Sequence, residues 1–229
     1  MIFIPIGVDC GITKELKENG LRIASYPFDW MVTYNGIFDI IRTRFASYLP
    51  VDPKLYDEYD FESRKMRCNR SSNTLFMHNI FPDDFEKLIR RINRFYDVLE
   101  NETDEVIFIR KGHSPHHHGE AEKYKVNLKN DLIDVEQLCA YLLQKYPKLK
   151  FKIVIFLFCD TCFTYDKSYI TKYPNIFVYH TKENEWFQEI FMKKFLPQLD
   201  KSEDKICYDY YWLLLIPVLV FIYLYWFAK

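Results

Sequence analysis

"IFIPIGVDCGITKELKENG", residues 2–20, opens on an apolar run, stops at Asp9 and Cys10, and resumes as a polar stretch ending in Gly20. The run from Ile2 to Val8 does not alternate, so it reads as a strand buried on both faces. "TKELKENG" reads as a short helix, with Gly20 as a natural C-cap. Cys10 stands at the turn between strand and helix. A thiol there is either a nucleophile held at a helix start or a small apolar residue that packs.

The alternation continues outward. "YNGIFDIIRTRFASYL" (34–49) has Ile37, Ile40, Ile41 and Phe45 at helical spacing, and "TLFMHN" (74–79) is a short strand. "DDFEKLIRRINRFYDVLEN" (83–101) is an amphipathic helix with Phe85, Leu88, Ile89, Ile92, Phe95 and Leu99 on one face. "EVIFIR" (105–110) is a strand, and "KGHSPHHHGEAEKY" (111–124) reads as a polar loop. A helix over 131–147, strands over 151–158 and 175–181, and a last helix over 183–199 complete the series. Residues 51–73 are polar and broken, and read as an excursion. Strands alternating with helices predict an α/β domain over 1–200, with a mainly parallel sheet and helices on both faces, Rossmann-like and three-layered.

Residues 201–209 read as a polar spacer. From Tyr210 to Ala228 the chain carries no charge, and at about 1.5 Å per residue it spans roughly 28 Å, close to a hydrocarbon core. Tyr and Trp at both ends suit the two interfaces. This segment is expected to be a C-terminal transmembrane anchor in contact with lipid, with the N-terminal domain in the cytosol. "MIFIPIG" lacks a basic start and reads as a strand, so no signal peptide is expected.

Composition narrows the function. The net charge is −1, which gives no global field for nucleic acid, and none is expected as a partner. The 6 Cys are scattered through elements able to build a core, which points to a reducing compartment. The 6 Gly form neither GxGxxG nor GxxxxGK, so no nucleotide cofactor is expected. "HSPHHHGE" lacks the i, i+4 spacing that aims two imidazoles at one metal, so it reads as a solvated loop and no metal is expected. Cys159 and Cys162 follow a strand, but "FTYDKSY" is a poor helix to stabilise a thiolate.

With Gly7, Cys10, Leu21, Arg22, Ser25 and "PFDW" (27–30) in place, the chain resembles an uncharacterised family labelled papain-like cysteine peptidases, with members in bacteria and large DNA viruses. The "FMHN" strand, the basic amphipathic helix and "VIFIR" follow in the family's order, over roughly residues 2–160. The family's middle motif is His-Asp, whereas this chain has His78-Asn79. The resemblance implies a thiol hydrolase working by acyl transfer on a protein or peptide. A virion or host membrane would then be its place. Such chemistry needs a thiolate, an imidazole to generate it and a group to orient that imidazole. Cys10 is the candidate nucleophile, His78 the base and Asp29 the orienting carboxylate. Arg110, Trp30 and Asn79 are candidate substrate contacts.

A papain-like domain sets its cysteine helix against an antiparallel sheet, whereas the pattern here reads as parallel units. In a parallel sheet the turns after the strand ends share one rim, where Cys10, His78 and Arg110 are expected. That rim equally suits a Rossmann-like transferase or an esterase-type hydrolase using Asp9, Asp29 or Arg110. A membrane-anchored interaction protein without chemistry is the third reading.

Overall fold

A computed structural model describes residues 1–46, 48–49, 56–61, 64–69, 73–158 and 170–199. The chain divides into two compact units, Met1–Glu183 and Asn184–Lys229. Within the first, β1 (Ile2–Pro5), β6 (Val106–Lys111), β7 (Phe151–Phe158) and β8 (Ile176–Thr181) form one sheet in the order β1-β6-β7-β8. All three pairings are parallel, with Ile2 opposite Val106, Val106 opposite Phe151, and Ile153 opposite Ile176. The expected α/β class and mainly parallel sheet are therefore present. β1 and β6 are buried at every position, which is why their sequences run apolar without alternating.

The excursion over 51–73 is a correction. β3 (Tyr56–Phe61) and β4 (Arg64–Asn69) pair antiparallel there, and join β5 (Thr74–Phe76) and β2 (Val32–Thr33) in a second sheet of order β2-β5-β4-β3. Long charged residues hid these strands, because β propensity depends on the neighbours a strand finds as well as on its composition. The consequence for function is direct: the strand before His78 belongs to the antiparallel sheet and not to the one that carries Cys10.

The helices of the first unit are α1 (Gly11–Glu18), α2 (Ile37–Arg42), α3 (Phe85–Asn101), α4 (Pro115–Lys123) and α5 (Asp131–Lys145). α4 replaces the expected polar loop. Ser114 stands at its N-cap with extended backbone and Pro115 follows at the first helical position, a strong start signal in the sequence. α3 buries Leu88, Ile92, Phe95, Tyr96, Val98 and Leu99, whereas Ile89, expected on that face, is 45% exposed. Phe28, Phe45, Tyr48, Phe76 and Phe95 meet at ring-centroid distances of 5.1 to 6.5 Å, mostly edge to face.

In the second unit, Trp186–Phe195 form a helix of π geometry, α6. Among the described residues no helix is long and apolar enough to cross a membrane. The expected spacer, the anchor over 210–228 and the pair Cys159 and Cys162 lie outside the described residues.

Candidate functional site

The turn after β1 carries the first part of the site. Cys10 occupies the N-cap of α1 and is half-buried, while the ladder starts with Lys14 N–H donating to the Cys10 carbonyl at 3.0 Å. Asp9 Oδ1 accepts the Gly11 N–H at 2.7 Å. A Cβ on Gly11 would lie 2.8 Å from that same oxygen, so glycine is what lets the carboxylate fold over the helix start. The N–H groups of Ile12 and Thr13, in the first turn, have no acceptor within the helix.

The other oxygen of Asp9 draws in the ends of two further elements. Lys111, the last residue of β6, donates from Nζ to Asp9 Oδ2 at 2.9 Å and to Glu183 at 3.2 Å. His117 Nε2 lies 3.1 Å from Asp9 Oδ2. Its Nδ1 accepts the Ser114 N–H at 2.9 Å, so the ring proton sits on Nε2, facing the carboxylate. Tyr34 donates to Glu120 at 3.1 Å beside this cluster. Burial alone would raise the Asp9 carboxyl, but the His117 hydrogen bond and the Lys111 charge hold it well below the usual carboxylate range. The Cys10 thiol is pushed up, first by burial and then by the charge of Asp9. At neutral pH the site therefore holds a carboxylate beside a protonated thiol.

Arg110 lies one residue from Lys111 and leaves the opposite face of its strand. Its Nε and Nη2 donate to Asp131 at 2.9 and 2.5 Å, Nη1 to the carbonyls of Ile6 and Thr33 at 3.0 and 2.9 Å, and Nη2 to that of Tyr34 at 2.7 Å. All five donors are engaged inside the protein and the side chain is 1% exposed, so this arginine joins the two sheets and has no N–H left for a substrate. His113 Nδ1 stands 2.7 Å from the second Asp131 oxygen and Nε2 2.6 Å from the Tyr34 carbonyl. Gly7 makes room for the knot: it has φ +85°, and any Cβ there would run into Arg110 Nη1. Burial would raise Asp131, but Arg110 and His113 hold it far below the usual carboxylate range.

The expected triad is distributed differently. Asp29 is buried and accepts from Arg22 Nε and Nη2 at 2.9 and 2.6 Å. His78 is exposed, with its ring edge-on to Trp30 at 6.0 Å between centroids, and Trp30 is half-buried with φ 63°. Asn79 donates to Asp84 at 3.1 Å. Among the described residues no hydrogen bond or ion pair joins Cys10, His78 and Asp29. The structure instead gathers Asp9, Lys111 and His117 around the Cys10 turn. His117 was hidden because its tract reads as loop. The Ser114-Pro115 helix start was the signal that would have put it on a helix.

Two largely buried, depressed carboxylates dominate the acid response. A group whose folded-state pKa lies below its unfolded value contributes stability above the unfolded value, about 3.9 for Asp, and loses it as pH falls. Asp9 and Asp131 are of this kind, while Asp29 and Asp134, raised by burial, act in the opposite sense. The urea midpoint should therefore hold between pH 7 and 5 and fall below about pH 4. Asp9→Asn should flatten the fall; a wild-type midpoint unchanged at pH 3.5 would contradict this electrostatic account.

Fold and site together define an α/β protein with a thiol and a carboxylate on the turn after the first strand of a parallel sheet. The chain belongs to the family described as "Putative papain-like cysteine peptidase (DUF1796)", whose model matches residues 1–161. It is also similar to "Uncharacterized protein R408" of Acanthamoeba polyphaga mimivirus, 28% identical over 142 residues, covering 50% of this chain and 63% of that protein. The chain thus spans less than two thirds of that relative's length. No solved structure matches.

Proposed function

We propose that this chain is a thiol hydrolase acting by acyl transfer through Cys10. The observation that carries the reading is the position of Cys10, at the head of α1 and next in chain to a carboxylate that holds both Lys111 and His117. Membership of the family supports the same chemistry. The Cys10 sulfur attacks the substrate carbonyl carbon, and the oxyanion lies against the first-turn N–H groups of α1. The thiol proton passes to an imidazole and from there to the leaving group. Water then cleaves the thioester, releasing the acid and restoring the thiol.

Of the two candidate bases, His117 has the better support, because it is paired with Asp9, the residue beside Cys10. His78 lies exposed against Trp30, and its partnership with Asp29 would require Asp29 to leave Arg22. In the resting arrangement both His117 nitrogens are occupied, so substrate entry has to free one. The uncharged stretch over 210–228 would keep the domain at a membrane.

The ionised Asp9 favours a second reading, an esterase-type hydrolase or transferase in which the carboxylate contacts substrate and Cys10 only packs. Peptide-resolved iodoacetamide labelling across pH, with turnover of a thioester probe, separates them. Cys10 should label with a midpoint above the free value of about 8.5, and Asp9→Asn should lower that midpoint by removing the neighbouring charge. Cys10→Ser should abolish turnover and His117→Ala should reduce it at least about 100-fold. Full activity in Cys10→Ser with loss in Asp9→Asn would select the second reading.

A further inference from the structure

Away from Cys10, α3 carries Lys87, Arg90, Arg91 and Arg94 at i, i+3, i+4 and i+7, on one face. With Ser25 they line a cavity of about 180 Å³. Among the described residues no carboxylate lies on its wall. We propose that this cavity binds the phosphate-monoester end of a ligand, with Arg91 and Arg94 as the principal donors.

The hydrogen bonds already present orient these guanidinium groups without neutralising them. Arg94 Nη1 donates to the Ser25 carbonyl at 2.6 Å and Arg91 Nη1 to the Asp29 carbonyl at 3.3 Å. Both acceptors are neutral, and among the described residues neither arginine forms a close ion pair, with the Asp29 and Asp84 charges acting on Arg91 from farther off. Arg90 comes no nearer than 4.0 Å to Glu86, whereas Lys87 is paired with Asp84 at 2.7 Å. Arg22, behind the cavity, is balanced by Asp29, and its Nη2 donates to Ser25 Oγ at 2.6 Å. That leaves the Ser25 hydroxyl proton as one more donor.

Stability does not account for this face. Lys87 with Arg91, and Arg90 with Arg94, are like charges four residues apart, which repel on a helix. Burial also pulls the Arg91 guanidinium below its ordinary value, a penalty that a bound anion would relieve. Planar guanidinium forks match the paired oxygens of a phosphate. The volume is below the roughly 300 Å³ at which drug-sized pockets begin, so one tetrahedral anion fits with the rest of its ligand outside. A nucleic acid would need a track of cations along many phosphates, whereas these cations surround a cavity of about 180 Å³ on a chain of net charge −1.

Calorimetric titration of the full chain with inorganic phosphate, at ionic strength held by chloride, is the test. Wild type should bind phosphate in preference to chloride, and Arg91→Gln and Arg94→Gln should each weaken binding about tenfold or more. Cys10→Ser should bind as wild type, which makes the outcome independent of the hydrolase reading. If Arg91→Gln fails to fold, Arg90→Gln, with no close protein acceptor, takes its place. Glucose 6-phosphate and a water-soluble short-chain phosphatidic acid then distinguish a sugar ester from a lipid headgroup, and displacement by free phosphate in either arm supports the site. Titration heats no larger than for chloride, unaltered binding in both glutamine variants, or attachment to single-stranded oligonucleotides that phosphate does not displace would each overturn it.

Discussion

Replacing Arg110 with methionine should destabilise the protein by about 3–5 kcal/mol, the penalty for breaking a buried ion pair from one side. The size follows from what would be left behind. Asp131, 1% exposed, would lose its guanidinium partner, and the carbonyls of Ile6, Thr33 and Tyr34 would lose donors. Each of those groups stays buried, and although Asp131 and the Tyr34 carbonyl keep His113, a buried acceptor that loses a donor carries a desolvation penalty. Against a domain stability of about 5–15 kcal/mol, the loss runs from about a fifth of the total upward. Arg110→Lys should not rescue it, because an ammonium cannot serve a carboxylate and three carbonyls with one planar fork. The double variant Arg110→Met with Asp131→Leu should be more stable than Arg110→Met alone, since it removes the orphaned charge as well. Urea unfolding followed by circular dichroism gives all three values. A single-variant loss below about 1 kcal/mol, within the range of an exposed ion pair, would mean that the knot does not bind the sheets together.

Phe95→Ala should cost a comparable amount, about 3–5 kcal/mol, by a different mechanism. Phe95 has no exposed surface and its ring meets Phe28, Phe45, Tyr96 and Phe108 at 5.6 to 6.5 Å. Phe28 comes from the "PFDW" turn, Phe45 from the segment after α2, Phe95 from α3 and Phe108 from β6. One ring therefore fastens four stretches that are distant in sequence, and its deletion leaves a cavity those stretches cannot close together. Phe95→Leu should lose less, because the void is smaller. Ile89→Ala, on the same helix but 45% exposed, should stay within about 0.5 kcal/mol of wild type. Equal losses at positions 89 and 95 would show that helix propensity and not packing sets the effect.

The two variants make different demands on the sequence reader. The apolar phase of α3 is local information, since a spacing of three and four residues puts Leu88, Ile92, Phe95 and Leu99 on one side. The role of Arg110 is not local. At a strand end it reads equally well as an anion binder, and only Asp131, 21 residues on, together with three carbonyls at or just past the ends of β1 and β2, makes it structural. The same holds for Asp29, which lies within "PFDW" and reads as the group that orients an imidazole, but whose carboxylate meets Arg22.

By itself the sequence pointed to buried strands of a covered parallel sheet, because β1 and residues 106–109 of β6 run apolar without alternating and helical stretches separate the strands. It also determined that Cys10 sits between a strand and a helix, since Asp9 and Gly11 interrupt the apolar pattern there. The tertiary structure alone decided the company Cys10 keeps. The antiparallel pairing of β5 carries His78 away from the parallel sheet, and the helix begun at Ser114 brings His117 to Asp9. Hydrophobic period is written along the chain, whereas a charged side chain finds its partner only when burial makes leaving it unpaired too costly.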